Sequence, residues 1–280
     1  MRKLDTKEIT RAVKELCIQA NYHLGQDVVC AIGNCKARER NPLAREILGK
    51  MEENLQASAQ MNIPICQDTG MAIVFVELGQ QVCLEGALLE DAVNEGVRQG
   101  YQEGYMRCSV VADPIRRGNT NDNTPAVLHL SMVEGQQVRI TVAPKGFGSE
   151  NMSQMKMMTP AASQQDIVDY VVDCVRQAGS NPCPPVIVGV GIGGSFEKCA
   201  MQAKKALLRP IDQRNPDPFY ARLEEQMLEE INRLDVGPQG FGGDTTALGV
   251  NIETYPTHIA GLPVAVNMSC HVTRHASCVL

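Results

Sequence analysis

The chain has 280 residues, a formal net charge of −6 and 44% hydrophobic residues, which suffices for one large domain or two ordinary ones. Its charges are interspersed and form no basic stripe, so the composition gives no sign of a nucleic-acid-binding surface. No apolar run approaches the roughly 20 residues that cross a bilayer, and the start of the chain has no signal-peptide core. We therefore expect a cytoplasmic protein without a membrane segment.

Cysteine is the unusual component of this composition. Eleven cysteines is a high and odd number, while tryptophan is absent and aromatic residues make up only 4%. An odd count argues against a closed disulfide framework and favours a reducing compartment in which thiols bind metal or react. With so few aromatic residues, the core must depend on aliphatic side chains, methionine and cysteine.

The first third of the chain predicts helices followed by a strand. We expect the first five residues to lead at once into a helical pattern, which covers residues 6–60. Pro64 ends that pattern. Residues 71–78 are rich in β-branched and aromatic side chains between two glycines, which predicts a buried strand, and residues 88–102 return to helical spacing.

The rest of the chain mixes adjacent strand pairs with strands that are separated by helices, which favours a mixed α/β or α+β fold with helices around mixed sheets. No internal repeat or clear linker interrupts it, so we expect one compact domain, of one or two lobes, over residues 1–280. The predicted elements are strands over 126–132 and 137–142 joined at a turn, a helix over 163–177, a strand over 186–190, helices over 195–208 and 219–234, and strands over 247–253 and 263–267.

Cys183 is the most informative single residue because prolines surround it, in the order Asn181-Pro182-Cys183-Pro184-Pro185. Proline fixes its own φ and pushes the preceding residue out of the helical region, so the backbone at Cys183 has few conformations to lose. A thiol that only fills a core does not need such rigidity, whereas a thiolate that binds a metal at a fixed distance benefits from it.

Two further cysteines stand in similar segments: Cys66 before Gln67-Asp68-Thr69-Gly70, and Cys270 before His271. Thiolates suit zinc or iron–sulfur clusters, and no Cys-x-x-Cys pair indicates a zinc ribbon or a ferredoxin-type run. We interpret Cys66, Cys183 and Cys270 as ligands of one iron–sulfur cluster, with burial as inert thiols as the alternative. Inert burial is the simpler interpretation for the cysteines on helical or strand patterns, which are Cys17, Cys30, Cys83, Cys108, Cys174 and Cys199.

Glycines 189, 191 and 194 follow a predicted strand and precede a predicted helix, which matches the dinucleotide-binding fingerprint. A second strand ending in an acidic residue is expected about 20 residues later. The proline-rich segment 209–218 stands there instead and is unsuited to a central strand. We therefore favour a tight strand-to-helix turn over nucleotide binding.

Two glycine-rich loops and one histidine are further candidates. Residues 145–151 follow a predicted strand, and their backbone N–H groups could bind a carboxylate or form an ordinary turn. Residues 237–244 are dense enough in glycine to allow close approach to a ligand or cluster. His258, which follows Tyr-Pro-Thr, has the side chain to move a proton near neutral pH, although a lone histidine is more often structural.

Taken together, these segments resemble the class I, iron–sulfur-dependent fumarase family, specifically the alpha subunit of its two-subunit form. The resemblance runs in order over nearly the whole chain. One departure is Phe147, which stands in a loop that usually reads Lys-Gly-Gly-Gly-Ser. The matching segments are residues 65–70, 143–151, 181–194, 207–210, 237–240 and 255–270.

The resemblance implies a cofactor and a reaction. Cys66, Cys183 and Cys270 would hold a [4Fe-4S] cluster with one open iron, which serves as a Lewis acid. The implied activity is the reversible hydration of fumarate to (S)-malate, which makes the chain a hydro-lyase subunit.

The resemblance also implies which residues meet the small dicarboxylate substrate. Gln67 and Asp68, directly after the first cysteine, would contact it, together with Arg107 and Gly146. Arginine is suited to a carboxylate because its guanidinium donates two parallel hydrogen bonds. The histidine of the Tyr-Pro-Thr-His motif is His258, which would also contact the substrate, and we assign it and Asp68 as the catalytic residues.

We expect a partner subunit because part of the family's active site is missing from this chain. Family members complete the site with cationic and basic residues from a second domain, and this chain ends ten residues after Cys270. We therefore expect a separate beta subunit and a hetero-oligomer such as α2β2. Tartrate dehydratase alpha subunits, which share the cysteine scaffold, remain an alternative. An iron–sulfur redox or sensor protein is a second alternative, and it would leave the substrate-contacting residues without a purpose.

Overall fold

Helices and strands alternate along the chain in the computed structural model, which describes residues 1–280. The fold is α/β with mixed sheets, as predicted. None of its helices has the length and apolar character needed to cross a membrane. The elements in chain order are β1 (Arg2–Asp5), α1 (Thr6–Tyr22), α2 (Gln26–Arg38), α3 (Pro42–Met61), β2 (Met71–Gly79), β3 (Val82–Glu85), α4 (Leu89–Glu103), β4 (Val127–Val133), β5 (Val138–Lys145), α5 (Phe147–Glu150), β6 (Gln154–Met158), α6 (Gln164–Ala178), β7 (Val186–Gly193), α7 (Phe196–Ala206), α8 (Pro218–Asn232), β8 (Ala247–Tyr255), β9 (Leu262–Ser269) and β10 (Ala276–Val279).

The chain divides into two compact units. The first unit comprises Met1–Leu24, Leu55–Phe147 and Arg274–Leu280. The second comprises Gly25–Asn54 and Gly148–Thr273. Each unit contains its own four-stranded sheet and its own hydrophobic core.

In the first unit, the sheet has the strand order β10-β5-β2-β4. The central strand β2 pairs antiparallel with β5 and parallel with β4. The sequence predicted two strands joined at Glu134-Gly135, and β4 and β5 do follow each other in the chain, but β2 lies between them in the sheet. Helices α1 and α4 supply the apolar side chains that pack with this sheet, among them Val13 and Val97.

The first five residues differ from the prediction. Residues 2–5 form the strand β1, which pairs in parallel with β3, and Asp5 then caps α1 by accepting a hydrogen bond from the N–H of Lys7 at 2.9 Å. A four-residue strand depends on its partner, which lies about 80 residues later in the chain, so local sequence gave no signal for it.

In the second unit, the sheet has the order β6-β9-β7-β8, and all eight residues of β7 are buried. Strand β8 runs parallel to β7, and β9 runs antiparallel to it. A Cβ atom at Gly189 or Gly191 would lie 2.2 Å from a carbonyl oxygen of α7, at Ala203 and Cys199 respectively. These glycines therefore let α7 lie directly against β7, which accounts for the pattern without a bound nucleotide.

Candidate functional site

Cys183 lies on a constrained turn directly before β7. Its φ is +55°, in the left-handed region that non-glycine residues rarely adopt, and its backbone N–H donates to the carbonyl oxygen of Ser180 at 3.1 Å. The residue is exposed. The backbone therefore avoids the right-handed helical region, as the flanking prolines predicted, and holds an accessible thiol.

Two neighbours fix this turn through its carbonyl groups. Gln239 donates to the carbonyl oxygen of Pro184 from its backbone N–H at 2.8 Å and from its side-chain Nε2 at 3.0 Å. The ring nitrogen Nδ1 of His271 lies 3.0 Å from the carbonyl oxygen of Cys183. The Gly-Pro-Gln-Gly segment that the sequence singled out thus supports the Cys183 turn.

Cys270 lies at the same end of the sheet as Cys183. Strand β9 is antiparallel to β7 with Ser269 opposite Ile187. Cys270 follows β9 by one residue, and Cys183 precedes β7 by three. Because the end of one strand meets the start of the other, the two cysteines are brought together, and His271, the residue after Cys270, contacts the Cys183 turn.

Cys66 belongs to the first unit, whereas Cys183 and Cys270 belong to the second. The structure contains no group of three or more His, Cys, Asp or Glu side chains that could hold a metal ion. Cys66 and Cys270 are half-buried.

The loop after Cys66 is held by side chains of the first unit. Tyr101, fully buried, donates from its hydroxyl to the carbonyl oxygens of Thr69 at 2.7 Å and Gly70 at 3.0 Å. Burial raises the pKa of Tyr101, which keeps the hydroxyl protonated as a donor. Asn123, also buried, donates to the carbonyl oxygen of Gly70 at 3.1 Å. The hydroxyl of Thr69 donates to the carbonyl oxygen of Arg107 at 3.0 Å, so the exposed Arg107 lies beside this loop.

Asp68 connects the same loop to Gly146. One carboxylate oxygen accepts from the N–H of Gly70 and the other from the N–H of Phe147, both at 3.0 Å. A Cβ atom at Gly146 would lie 3.0 Å from Asp68 Oδ2. The structure therefore brings together four of the predicted substrate residues in the first unit, with Gln67 exposed beside Asp68.

The predicted loop over residues 145–151 is more ordered than expected. Its middle forms the single helical turn α5, and the backbone N–H of Phe147 donates a hydrogen bond to the carboxylate of Asp68. On the second unit's side, Glu150 forms an ion pair with Lys204 and accepts a hydrogen bond from Asn267 at 2.9 Å. Burial lowers the pKa of Lys204. This network escaped the sequence analysis because its members lie more than 50 residues apart.

His258 lies elsewhere in the second unit. It follows β8 and precedes β9, at the sheet end opposite to Cys183 and Cys270. The seven residue steps of β9 alone span about 23 Å. The side chain is exposed, and its Nδ1 accepts from the N–H of Ala260 at 3.1 Å. The structure does not bring His258 to the two cysteines of its own unit.

Three other cysteines behave as inert core thiols. Cys17, Cys174 and Cys199 are buried, and burial raises the pKa of the first to about 12 and of the other two to about 11. Cys199 also donates to the carbonyl oxygen of Gly191 at 3.2 Å. Cys30, by contrast, is exposed on α2, although its helical pattern had suggested burial.

The chain is similar to known proteins over almost its whole length. The family model described as fumarate hydratase (Fumerase) matches residues 10–279. A putative L(+)-tartrate dehydratase subunit alpha from Methanocaldococcus jannaschii is 36% identical over 275 residues, which is 96% of each chain. The L(+)-tartrate dehydratase subunit alpha of Escherichia coli O157:H7 is 32% identical over 273 residues, 96% of this chain and 90% of that protein. The protein of the same name from Shigella sonnei is 31% identical over the same length.

Proposed function

Because this chain belongs to the fumarate hydratase (Fumerase) family, a family of hydro-lyases, we propose that it is the alpha subunit of an enzyme that interconverts (S)-malate and fumarate. The observation that carries the proposal is the pairing of two accessible cysteines, Cys183 and Cys270, at one end of the β7–β9 sheet. Two thiols on supported turns at one end of a sheet are suited to binding a metal. A hydrophobic core does not require such an arrangement.

We assign Cys66, Cys183 and Cys270 as the three ligands of a [4Fe-4S] cluster. The donor chemistry fits, since thiolates are the usual ligands of such clusters and these three side chains are exposed or half-buried. A cluster held by these three thiolates would supply the Lewis acid that assists the departure of hydroxide.

The chain's own residues bind and orient the substrate. Arg107 is exposed, and its backbone carbonyl oxygen accepts a hydrogen bond from Thr69, which holds its backbone in place. Its guanidinium can bind a carboxylate through two hydrogen bonds. Gln67 offers an exposed amide beside it. Asp68 is our proposed acid–base group beside Arg107 and Gln67, and it also accepts a hydrogen bond from the N–H of Phe147. His258 stays a second proposed acid–base group from the sequence, at the sheet end away from Cys183 and Cys270.

A partner chain is part of this proposal. A dicarboxylate carries two negative charges, and burying the second one without a cation would cost several kcal/mol. Arg107 supplies one cation. The two curated relatives from M. jannaschii and E. coli are named as alpha subunits, which supports a separate beta subunit that supplies the remaining cationic groups and completes a hetero-oligomer such as α2β2.

L(+)-Tartrate is a second candidate substrate, because the same relatives are named as tartrate dehydratase subunits. Tartrate differs from malate by one additional hydroxyl group, and both lose water by the same elimination. A hydro-lyase selects between them through contacts to that hydroxyl, since a site built to bind a hydroxyl discriminates strongly against an analogue that lacks it.

The test is an anaerobic assay of the cluster-reconstituted chain with and without its partner subunit, using malate and L(+)-tartrate in parallel. We expect turnover of malate by the two-chain complex and none by either chain alone. A preference for tartrate would change the proposed substrate, but the assignment of the chain as a hydro-lyase subunit would stand. Inactivity of the complex on both, with an intact cluster, would favour a redox or sensor protein.

Loss of the cluster in a variant tests the ligand assignment separately. Cys183→Ser removes the thiol from the supported turn and should abolish iron binding and activity. Cys30→Ser, the same change at an exposed cysteine of α2, is the matched control and should leave both unchanged. Full iron content in Cys183→Ser would show that the ligand assignment is wrong.

A further inference from the structure

Strand β4 is an open edge of the first unit's sheet. It pairs with β2 on one side, and no strand pairs with its other side. Two of its apolar side chains are largely in solvent, with Leu130 52% and Met132 61% exposed. The unpaired N–H and C=O groups of an edge strand form a ready template for pairing with another chain.

The other edges of the two four-stranded sheets are protected in ways that β4 is not. Strand β10 has only four residues. Strand β6 carries Lys156, and β8 carries Glu253. Strand β4 reads Val-Leu-His-Leu-Ser-Met-Val, seven residues without a lysine, an acidic residue or a proline. Short length, charge and proline are the usual means of preventing edge-to-edge association. Strand β4 lacks these features, so nothing in its sequence opposes pairing with another strand.

The sequence of β4 is also complementary to itself. If two copies run antiparallel with Leu130 opposite Leu130, then Val127 lies opposite Val133 and Leu128 opposite Met132. The polar His129 lies opposite the polar Ser131. Apolar residues thus meet apolar residues on both faces, and no charges are opposed. Direct cross-strand pairs of this kind stabilise the pairing of two strands.

From these observations, we propose that β4 is the contact between two copies of this chain. The two strands pair antiparallel about a two-fold axis at Leu130 and join their four-stranded sheets into one continuous sheet. Such an interface is isologous, because the same surface serves both copies. The inference concerns assembly and is independent of the reaction proposed above.

The test uses charges at the axis. Leu130→Lys and Leu130→Glu each place two like charges face to face, so each full-length variant should sediment as a monomer, while the unaltered chain sediments as a dimer. An equimolar mixture of the two variants should restore the dimer, because Lys then faces Glu. Met157→Lys, on the exposed position of β6 in the other sheet, is the control and should remain dimeric.

Each other outcome overturns the proposal. A monomeric unaltered chain, or variants that remain dimeric, would place the contact elsewhere. Failure of the mixture to recover the dimer would remove Leu130 from the axis. If Leu130→Lys instead blocks association with the beta subunit while the unaltered chain alone is monomeric, then β4 binds that subunit and the self-pairing is wrong. Circular dichroism of each variant confirms that the chain is folded.

Discussion

The carbonyl oxygen of Pro184 accepts two hydrogen bonds from the single residue Gln239, one from the backbone N–H at 2.8 Å and one from Nε2 at 3.0 Å. Pro184 directly follows Cys183, and both Cys183 and Gln239 have a φ of +55°. Non-glycine residues adopt this conformation only where the surroundings enforce it. Gln239 therefore helps to hold the backbone turn on which Cys183 lies.

Gln239→Glu tests this dependence. The carboxylate has nearly the shape of the amide but donates no hydrogen bond, so the side-chain contact with Pro184 is lost at a cost of about 1 kcal/mol. We expect lower iron content after anaerobic reconstitution and faster iron release to a chelator. Gln60→Glu, the same change at an exposed position of α3, should behave like the unaltered chain. Equal iron retention in both variants would contradict a supporting role for Gln239.

Gly146→Ala tests the contact between Asp68 and the backbone at residue 146. The new Cβ atom would lie 3.0 Å from Asp68 Oδ2, so the carboxylate must shift by a few tenths of an ångström. We expect activity to fall several-fold with little change in melting temperature. Gly118→Ala is the control, since nothing lies within 4 Å of its added Cβ atom. Full activity in Gly146→Ala would show that the position of Asp68 is not critical.

The cysteines should differ in reactivity towards iodoacetamide at pH 8 in the folded, cluster-free protein. The exposed Cys183 and Cys30 should be alkylated rapidly. Cys17, Cys174 and Cys199 should resist, because they are inaccessible and a pKa of about 11–12 leaves roughly one thiol in a thousand or fewer ionised. Peptide mass spectrometry measures each site. Loading the cluster should protect Cys183 but not Cys30, and equal labelling of Cys183 in both states would argue against its role as a ligand.

Arg107→Lys should raise KM and lower kcat/KM on the order of tenfold, because a point charge replaces the planar guanidinium that binds a carboxylate in two places. Iron content should stay the same, since Arg107 contacts the Cys66 loop only through its carbonyl oxygen. Arg116→Lys, at an exposed position of the same unit, serves as the control. Unchanged kinetics in Arg107→Lys would remove that residue from the substrate site.

His258→Asn should preserve the local turn, because the asparagine oxygen can accept the N–H of Ala260 as Nδ1 does. If His258 is an acid–base group, kcat should fall on the order of 10²-fold with no loss of iron. His23→Asn, at an exposed position after α1, is the control. A normal kcat would remove His258 from the catalytic set, where its separation from Cys183 and Cys270 already leaves it with the least structural support.

The sequence by itself determined the long elements. Helices α1, α4 and α6 appear where helical periodicity predicted them, because a helix of this length buries one face and that face repeats along the chain. Strands β2 and β7 appear where apolar runs rich in β-branched residues predicted buried strands. It also determined the constraint at Cys183, since proline acts on its immediate neighbours. The family resemblance depended on the same local signals, read in order along the chain.

Only the tertiary structure decided which segments meet. Strand β1 needs β3 as its partner, and β2 inserts between two strands that are consecutive in sequence. The approach of Cys270 to Cys183 follows from the antiparallel register of β9 and β7, which local sequence does not contain. Because of the same register, His258 lies at the opposite end of that sheet. These relationships depend on pairing between residues that are distant in the chain, and such pairing is set by packing of the whole core.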